Sequence, residues 1–576
     1  MTGPTPDLVI RGGVVVDGNG GPERHADVAV VGDTIVAVGD VEQKGRREID
    51  ADGALVAPGW VDVHTHYDGQ ATWDQQLAPS SVHGVTTVVM GNCGVGFAPV
   101  RSQDHQQLIE LMEGVEDIPG AALHEGLKWN WSTFGEYLDA VDSIPHDIDV
   151  AAQVPHGALR LFVMGQRGAD GDKATREEIE EMAELAKEAI VEGALGFTTS
   201  RTLNHRTSRG EPTPTLKAAR DELVGIARGV GRAGTGVLQL VSDFIDVADE
   251  FGNLRAMVEA SGRPASFTLV QSPRDPNGYR GMLQLLDEAH ADGLEIRGQV
   301  ATRGIGLLLG LQGTLNPFMA NPVYQQVADL DAPARVAVMG DPAFKARLLA
   351  ADEGQRDKSK VGGGIVRMFE NMFVLGDPPD YEPDPSSNVA AEAGRAGREP
   401  LEFVYDLLLR DSGRLFLYIP ALNYVDGRLD GVREMLLHPQ TIPGLSDGGA
   451  HVGTISDGSF PTTLLAHWCR DRDGEQLTVP FVVQSQCRDT AWALGMRDRG
   501  VLAPGYKADI NVIDLERLSV SAPEMHYDLP AGGRRLLQGA TGYLHTIVSG
   551  VPTYESGVST GEFPGRLVRG ARSIRS

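Results

Sequence analysis

Eight short apolar segments, each ending in polar residues, most constrain what this chain can fold into. They alternate with stretches of helical pattern, which is typical of βαβ units and a parallel sheet. The predicted strands are residues 55–63, 85–90, 148–154, 194–199, 236–241, 265–270, 294–300 and 441–445. Eight such units predict an α/β fold, a (β/α)8 TIM barrel, in which the polar strand ends line one active face.

Both chain ends carry runs of Val and Ile separated by Gly-rich turns, which indicates short antiparallel strands. These runs are residues 7–16, 26–31, 34–38, 49–55, 507–514 and 545–551. We predict that the two ends combine into one small β-sandwich domain. Residues 1–57 would be its first part, residues 58–490 the barrel, and residues 491–576 its second part with a C-terminal tail.

One long stretch interrupts the alternation between the last two predicted strands. It includes the Gly-rich residues 361–365 and the acidic, Pro-rich residues 377–386. Loops of this length are usually functional or mobile. We predict a lid-like insertion at about residues 310–435, with a contact in a homo-oligomer or a passive surface excursion as the alternatives.

Composition narrows the classes of partner. The chain has 51 basic and 79 acidic residues and a net charge of −28, which disfavours nucleic acid and anionic membrane surfaces as partners. Three cysteines are too few for a disulfide framework. Residues 1–6 lack the pattern of a secretory signal, and no apolar run reaches the roughly 18 residues of a membrane span. We expect a cytoplasmic protein that acts on a small molecule.

The first predicted barrel strand ends in two histidines one residue apart, His64 and His66. On an extended chain, residues i and i+2 point to the same side, so both imidazoles can converge on one point. Imidazole is a common zinc ligand. The pair therefore predicts a metal site, with two structural histidines as the alternative.

Cys93 and Asp447 follow the second and eighth predicted strands. Those strands flank the first one once a barrel closes, so a thiolate and a carboxylate would join the histidines, and zinc binds all of these groups. Asp447 is the predicted general base and acid. The alternatives are a turn residue before Gly-Gly for Asp447 and a buried small hydrophobe for Cys93.

Several segments resemble the amidohydrolase superfamily: residues 58–66, residues 446–447 and residues 500–509. Residues 64–68, 84–94 and 113–119 are similar to its D-aminoacylase (N-acyl-D-amino-acid deacylase) branch. The resemblance implies a barrel with a flanking β-sandwich and zinc-assisted hydrolysis of an amide. It also implies that His64, His66 and Cys93 are metal ligands and that Asp447 is the strand-eight acid.

The chain departs from that branch at strands five and six, where the branch has metal-binding histidines. Gln239 and Gln271 stand near those positions, and an amide is a poorer zinc ligand than imidazole. Strand four offers residues 198–201 and no lysine that could be carboxylated. We therefore expect one zinc ion rather than two.

The arginine that binds the substrate carboxylate in that branch, just after strand eight, has no counterpart in residues 451–457. Four other residues at strand ends are predicted to bind substrate: Arg201, Gln271, His156 and His451. Arg206, Arg303 and His205 occupy similar positions. For each arginine, a solvated or structural role is the alternative.

These features together predict a metal-dependent amidohydrolase. Metal-bound hydroxide would attack the substrate carbonyl while Asp447 moves the proton. Two other functions stay open: hydrolysis of a cyclic amide or another C–N bond, and a non-catalytic binding protein on the same fold.

Overall fold

The computed structural model of the chain describes residues 5–355 and 364–574. Most of the N-terminal stretch 1–6 and part of the Gly-rich residues 361–365 lie outside the described residues. The predictions made for those two stretches are therefore not tested. The insertion as a whole, in contrast, is largely described.

Parallel strands occur at all eight predicted positions and in the predicted order, which confirms the α/β class. They are Trp60–Asp62, Val85–Met90, Asp149–Ala152 with Val154–Pro155, Gly196–Arg201, Val237–Ser242, Ala265–Leu269, Ile296–Val300 and Thr441–Pro443. We call them parallel strands one to eight. Strands one to three form one sheet, and strands three to eight form another. Strand eight meets strand one just beyond its end, where Thr65 and Gly448 form a parallel bridge.

The first predicted strand, residues 55–63, is two strands in the structure. Leu55–Pro58 belongs to the sheet of the chain ends, and Trp60–Asp62 is parallel strand one. The break falls at Gly59, where a Cβ would lie 2.2 Å from Thr86 Oγ1. Only glycine allows strands one and two to approach this closely at that point.

Helices follow most of the parallel strands and pack against them around the main hydrophobic core. The longest is Arg176–Glu192, and it begins with the predicted capping box of Thr175 and Glu178. Other helices are His105–Glu116, Gly120–Gly126, Phe134–Asp142, His156–Met164, Gln166–Ala169, Arg220–Arg232, Val247–Ser261, Gly278–Ala291, Asp430–Leu436, Phe460–Ala466, Val479–Val483 and Thr490–Ala493.

The two chain ends share one sheet of nine strands. Its members are Leu8–Val15, Arg24–Val31, Thr34–Gly39, Arg47–Asp50, Leu55–Pro58, Ile510–Ile513, Tyr543–Val548, Val551–Glu555 and Val558–Ser559. Ile510–Ile513 lies antiparallel to Leu55–Pro58, so the C-terminal segment joins directly to the strand that leads into parallel strand one.

The insertion before parallel strand eight has a hydrophobic cluster of its own, which includes Phe318, Tyr405 and Ile419. It contains a sheet of Ile305–Leu309, Leu417–Leu422 and Phe373–Val374. Its helices are Ala332–Met339, Pro342–Gln355, Val389–Arg395 and Pro400–Leu408.

The C-terminal segment contains a β-hairpin that was not predicted from the sequence. Its strands are Glu524–Leu529 and Gly533–Leu537. Leu536 packs in a cluster with Leu308 and Phe416 of the insertion. The hairpin and the insertion are therefore neighbours on one side of the molecule.

None of the helices in the described ranges is long and apolar enough to cross a membrane. The three cysteines are unpaired, as expected from their number.

Candidate metal centre

His64 and His66 follow parallel strand one and point to the same buried site. Between them, Thr65 donates to Val89 O from its backbone nitrogen at 3.0 Å and from Oγ1 at 2.8 Å, which directs its side chain toward strand two. The two imidazole centres lie 5.6 Å apart, and each histidine is 1% exposed. The alternation of an extended chain therefore continues past the end of the strand.

Cys93 lies in a tight turn after parallel strand two. Its φ is 57°, and the flanking Gly91 and Gly94 have φ values of 85° and 67°, in the region that favours glycine. A Cβ on Gly91 would lie 2.2 Å from Gln153 O, so the turn packs closely on strand three. This backbone brings Cys93 Sγ to 3.4 Å from His64 Nε2.

Asp447 approaches the histidines from the segment after parallel strand eight. Its backbone nitrogen donates to His64 O at 3.1 Å, and its Oδ1 lies 3.4 Å from His64 Nε2 and 3.6 Å from His66 Nε2. Burial raises the pKa of this carboxyl, but the neighbouring His66 and His64 lower it more strongly, so the pKa lies below its ordinary value. Asp447 is therefore an ionised carboxylate.

These side chains fit a divalent metal ion such as zinc. One ligand atom each of His64, His66 and Cys93 lies within 4.8 Å of the others. Both ring nitrogens of His66 are buried and make no hydrogen bond, which is costly unless another partner binds there. Burial, Glu116 and Asp447 raise the pKa of the Cys93 thiol, and a bound cation reverses such a shift because a coordinating thiol is deprotonated.

Gln299 of parallel strand seven orients His64, and sequence reasoning missed it. Its Oε1 lies 2.8 Å from His64 Nδ1, and its Nε2 donates to Ser266 Oγ at 2.9 Å. An amide oxygen only accepts, so the proton of His64 is on Nδ1 and the lone pair of Nε2 faces the site. The one available signal is a polar residue within an apolar strand.

Glu116 is a second residue that sequence reasoning missed. It ends the helix His105–Glu116, is 1% exposed, and its Oε1 lies 3.3 Å from His66 Nδ1. Burial and the charge of Asp447 raise the pKa of its carboxyl well above the ordinary value. Its position within residues 113–119 could have indicated it, because this segment resembles the D-aminoacylase branch.

Two further histidines lie near the centre. His451 Nε2 is 3.6 Å from Glu116 Oε2, which places this predicted substrate residue beside the metal site. His205, on the segment after strand four, makes a hydrogen bond of 2.9 Å with Ser200 Oγ. Burial and the charges of His451 and His66 lower the pKa of His205 to about 3, so its imidazole is neutral.

Two other predicted substrate residues have polar partners that do not belong to the proposed metal ligands. Arg201 Nε lies 2.8 Å from Glu250 Oε2. His156 Nε2 lies 2.8 Å from Glu222 Oε1, and its Nδ1 lies 2.8 Å from Thr199 Oγ1. The polar atoms of both side chains are therefore bound to other residues of the protein, as buried polar groups generally are.

Gln271 and Gln239 differ in where their side chains lie. Gln271 Nε2 donates to Pro276 O at 3.1 Å, and a Cβ on Gly431 would lie 2.7 Å from its Oε1, so this side chain faces a helix. Gln239 is buried opposite Ser266 of strand six, and neither of its side-chain polar atoms makes a hydrogen bond.

A cleft of about 510 Å³, including space open to solvent, lies beside His66 and Asp447. One wall is the segment after strand eight, and another is the hairpin Glu524–Leu529 and Gly533–Leu537. Leu536 N donates to Val452 O at 2.6 Å, which docks the hairpin on that segment. Arg535 lines the cleft but pairs with Asp528 at 2.8 Å.

Sequence comparisons identify relatives of this chain. The chain is 27% identical over 574 residues to a D-aminoacylase of Alcaligenes xylosoxydans xylosoxydans, which covers 98% of this chain and 97% of that protein. It is 34% identical to an N-acyl-D-aspartate deacylase of the same organism over 230 residues, 40% of this chain and 42% of that one.

Two solved structures share the fold. The crystal structure of a D-aminoacylase superposes with a TM-score of 0.64 at 23% identity, over 98% of this chain and all of that one. An N-acyl-D-glutamate deacylase from Bordetella bronchiseptica, complexed with zinc and a phosphonate inhibitor, gives a TM-score of 0.63 at 23% identity and covers the same shares.

The family model described as "Amidohydrolase family" matches residues 47–554. This match and the full-length similarity confirm the resemblance to the D-aminoacylase branch, whose members hydrolyse carbon–nitrogen bonds other than peptide bonds. The chain belongs to the amidohydrolase family.

Proposed function

We propose that this enzyme is a metal-dependent amidohydrolase that cleaves the amide bond of an N-acyl-D-amino acid or a related compound. The observation that carries the proposal is the convergence of His64, His66, Cys93 and Asp447 beside a cleft. The substrate class is supported by the similarity to D-aminoacylase and to deacylases of N-acyl-D-aspartate and N-acyl-D-glutamate.

The architecture that fits this function is a (β/α)8 barrel at residues 58–490 with a lid-like insertion at about 310–435. The parallel order of the eight strands and the bridge between Thr65 and Gly448 support it. The sheet shared by the chain ends supports a flanking domain from residues 1–57 and 491–576. Every proposed metal ligand then lies at the carboxyl ends of strands, where barrel enzymes place their chemistry.

The metal would be a single zinc ion held by His64, His66, Cys93 and Asp447. Two imidazoles, a thiolate and a carboxylate are all groups that bind zinc, and the reaction would need one further position on the ion for water or substrate. Gln271 faces a helix, and Gln239 offers an amide in place of an imidazole. The side chains at strands five and six therefore favour one ion over two.

When bound, the ion would polarise the substrate carbonyl and lower the pKa of a water molecule. Asp447, ionised and open to the cleft, would accept a proton from the attacking water and donate it to the leaving nitrogen as the C–N bond breaks. With His66 Nε2 on the ion, Nδ1 would carry the proton and donate it to Glu116 Oε1, which lies 3.3 Å away. Of the predicted substrate residues, His451 lies beside the metal centre, and it would contact the amide of the bound substrate.

The test combines metal analysis with turnover of matched enantiomers. Zinc-loaded enzyme is expected to hold about one ion per chain and to hydrolyse N-acetyl-D-amino acids faster than the L-enantiomers. Asp447→Asn should lower kcat by about 10²–10⁴-fold, the usual contribution of a general acid–base group. His64→Ala should lose both metal and activity.

Each alternative has its own outcome. Turnover of cyclic amides without turnover of either N-acetyl enantiomer would replace the substrate class and keep the chemistry. Protein without stoichiometric metal, in which a chelator and His64→Ala change no activity, would leave a non-catalytic binding protein.

A further inference from the structure

A large cleft opens at the end of the parallel strands opposite to the metal centre, and we call it the basal cleft. Its lining comes from the starts of parallel strands four to seven, from residues within 489–497 and from residues 571–573. Its open space, including the part exposed to solvent, is about 1320 Å³, against about 510 Å³ for the cleft beside His66. This volume accommodates a metabolite larger than a simple salt ion.

Four arginines line the basal cleft, and in the described ranges none of them makes an ion pair with a carboxylate. They are Arg263, Arg297, Arg497 and Arg572. Other arginines of this acidic chain do find carboxylates: Arg160 pairs with Glu222, and Arg499 with Asp149. Four unpaired guanidinium groups around one space therefore distinguish this cleft.

Hydrogen bonds to carbonyls hold the Arg263 guanidinium and join the backbone segments that carry Arg497 and Arg572. Arg263 donates from Nη1 to Gly234 O at 2.8 Å and from Nε to Gly236 O at 3.2 Å. Arg497 N donates to Arg572 O at 3.0 Å, so the C-terminal segment is joined to the segment that carries Arg497. The side chains come from separate parts of the chain, and the fold brings them together.

Trp492 adds a flat apolar wall to the basal cleft. Its indole Nε1 is buried and makes no hydrogen bond. The guanidinium carbons of Arg497 and Arg488 lie 5.4 Å and 5.3 Å from the ring centre, so the positive groups gather around the indole.

The basal cleft is positive within a strongly acidic chain. Among the described residues, two acids join the four arginines in its lining, Glu295 and Asp489. Asp489 is already paired with Arg488 at 2.9 Å. Since the whole chain carries −28, this local excess of positive charge would concentrate an anion that the rest of the surface repels.

We propose that the basal cleft binds a small organic molecule that carries two or more phosphate groups. Guanidinium groups bind phosphate oxygens through paired N–H donors, and four of them around one space match more than one phosphate. The indole of Trp492 would contact the organic part of the ligand. The lining contains none of the proposed metal ligands, so binding there would be separate from the proposed hydrolysis.

Titration calorimetry of the zinc-loaded, full-length enzyme with ATP and with pyrophosphate tests the site. Saturable binding with a Kd of about 1 mM or tighter is expected. The double variant Arg297→Ala/Arg497→Ala should weaken it at least about tenfold. Arg228→Ala should leave it unchanged, because Arg228 is an exposed arginine of the helix Arg220–Arg232 that pairs with no carboxylate of the described residues.

Several results would overturn the proposal. They are no saturable binding of either probe, equal affinity in the double variant, and citrate binding as tightly as pyrophosphate. If the probes only extracted zinc, the calorimetric signal would be the same in wild type and in the double variant. That result would also count against the site. Circular dichroism of the double variant checks that it is folded.

Discussion

Replacing Gln299 by leucine removes the hydrogen bond at His64 Nδ1 while keeping a side chain of similar size. The leucine leaves His64 Nδ1–H without its acceptor at 2.8 Å and Ser266 Oγ without its donor at 2.9 Å. The imidazole can then adopt either tautomer, and its Nε2 is no longer held toward Cys93 and Asp447. Residues that orient a metal-binding histidine in this way typically contribute 10–100-fold to metal affinity.

That range corresponds to about 1.4–2.8 kcal/mol of binding free energy. The unsatisfied N–H costs about 1–3 kcal/mol of folding stability, which a urea titration measures separately. We therefore expect Gln299→Leu to bind zinc about 10–100-fold more weakly in a chelator competition, and to regain activity when zinc is raised by the same factor.

Gln538→Leu is the matched control. Gln538 is also 1% exposed, and its Nε2 makes hydrogen bonds of 2.8 Å with Tyr381 Oη and Ser521 O, but it does not contact His64. It should lose stability and keep zinc affinity. Equal zinc affinities in wild type and Gln299→Leu would refute an orienting role for Gln299.

Two further predictions concern stability. Arg499 contacts the buried Asp149 at 2.7 Å, so Arg499→Met removes a cation from this carboxylate and should lower the free energy of unfolding by about 3–5 kcal/mol. The control Arg228→Met should change the free energy of unfolding by less than about 0.5 kcal/mol. A similarly small effect of Arg499→Met would contradict the structural role of the pair. Burial alone would raise the pKa of Glu382, but His467 and Arg472 lower it from 4.5 to about 2. Because the folded pKa is depressed, about 3 kcal/mol of stability is present above about pH 4.5 and lost as pH falls toward 2. Urea unfolding between pH 7 and pH 2 measures this loss, and an unchanged pH profile in Glu382→Gln would contradict it.

Local patterns in the sequence were sufficient to predict the eight parallel strands and the start of one helix. Apolar runs with polar ends gave the positions of the eight parallel strands within a few residues, and Thr175 with Glu178 marked a helix start. His64 and His66 could be paired because the two-residue period of an extended chain is local. Their proximity to Cys93 and Asp447 followed from strand neighbourhood, which the parallel order already implies.

Several features depend on contacts between distant segments, and no local pattern contains them. The division of residues 55–63 at Gly59 depends on Thr86. Gln299 and Glu116 act through the direction of buried side chains that come from strand seven and from the end of a helix. Arg201, at the end of strand four, pairs with Glu250 of the helix Val247–Ser261, which is distant in the sequence.

The sequence by itself determined the α/β class, the order of the strands and the residue types that could hold a metal, because periodicity and ligand chemistry are properties of short segments. The tertiary structure decided which side chains face His64 and His66, that a C-terminal hairpin walls the cleft, and that four arginines meet at the basal cleft. These contacts join segments that are far apart in the sequence, so they depend on tertiary packing and not on any local pattern.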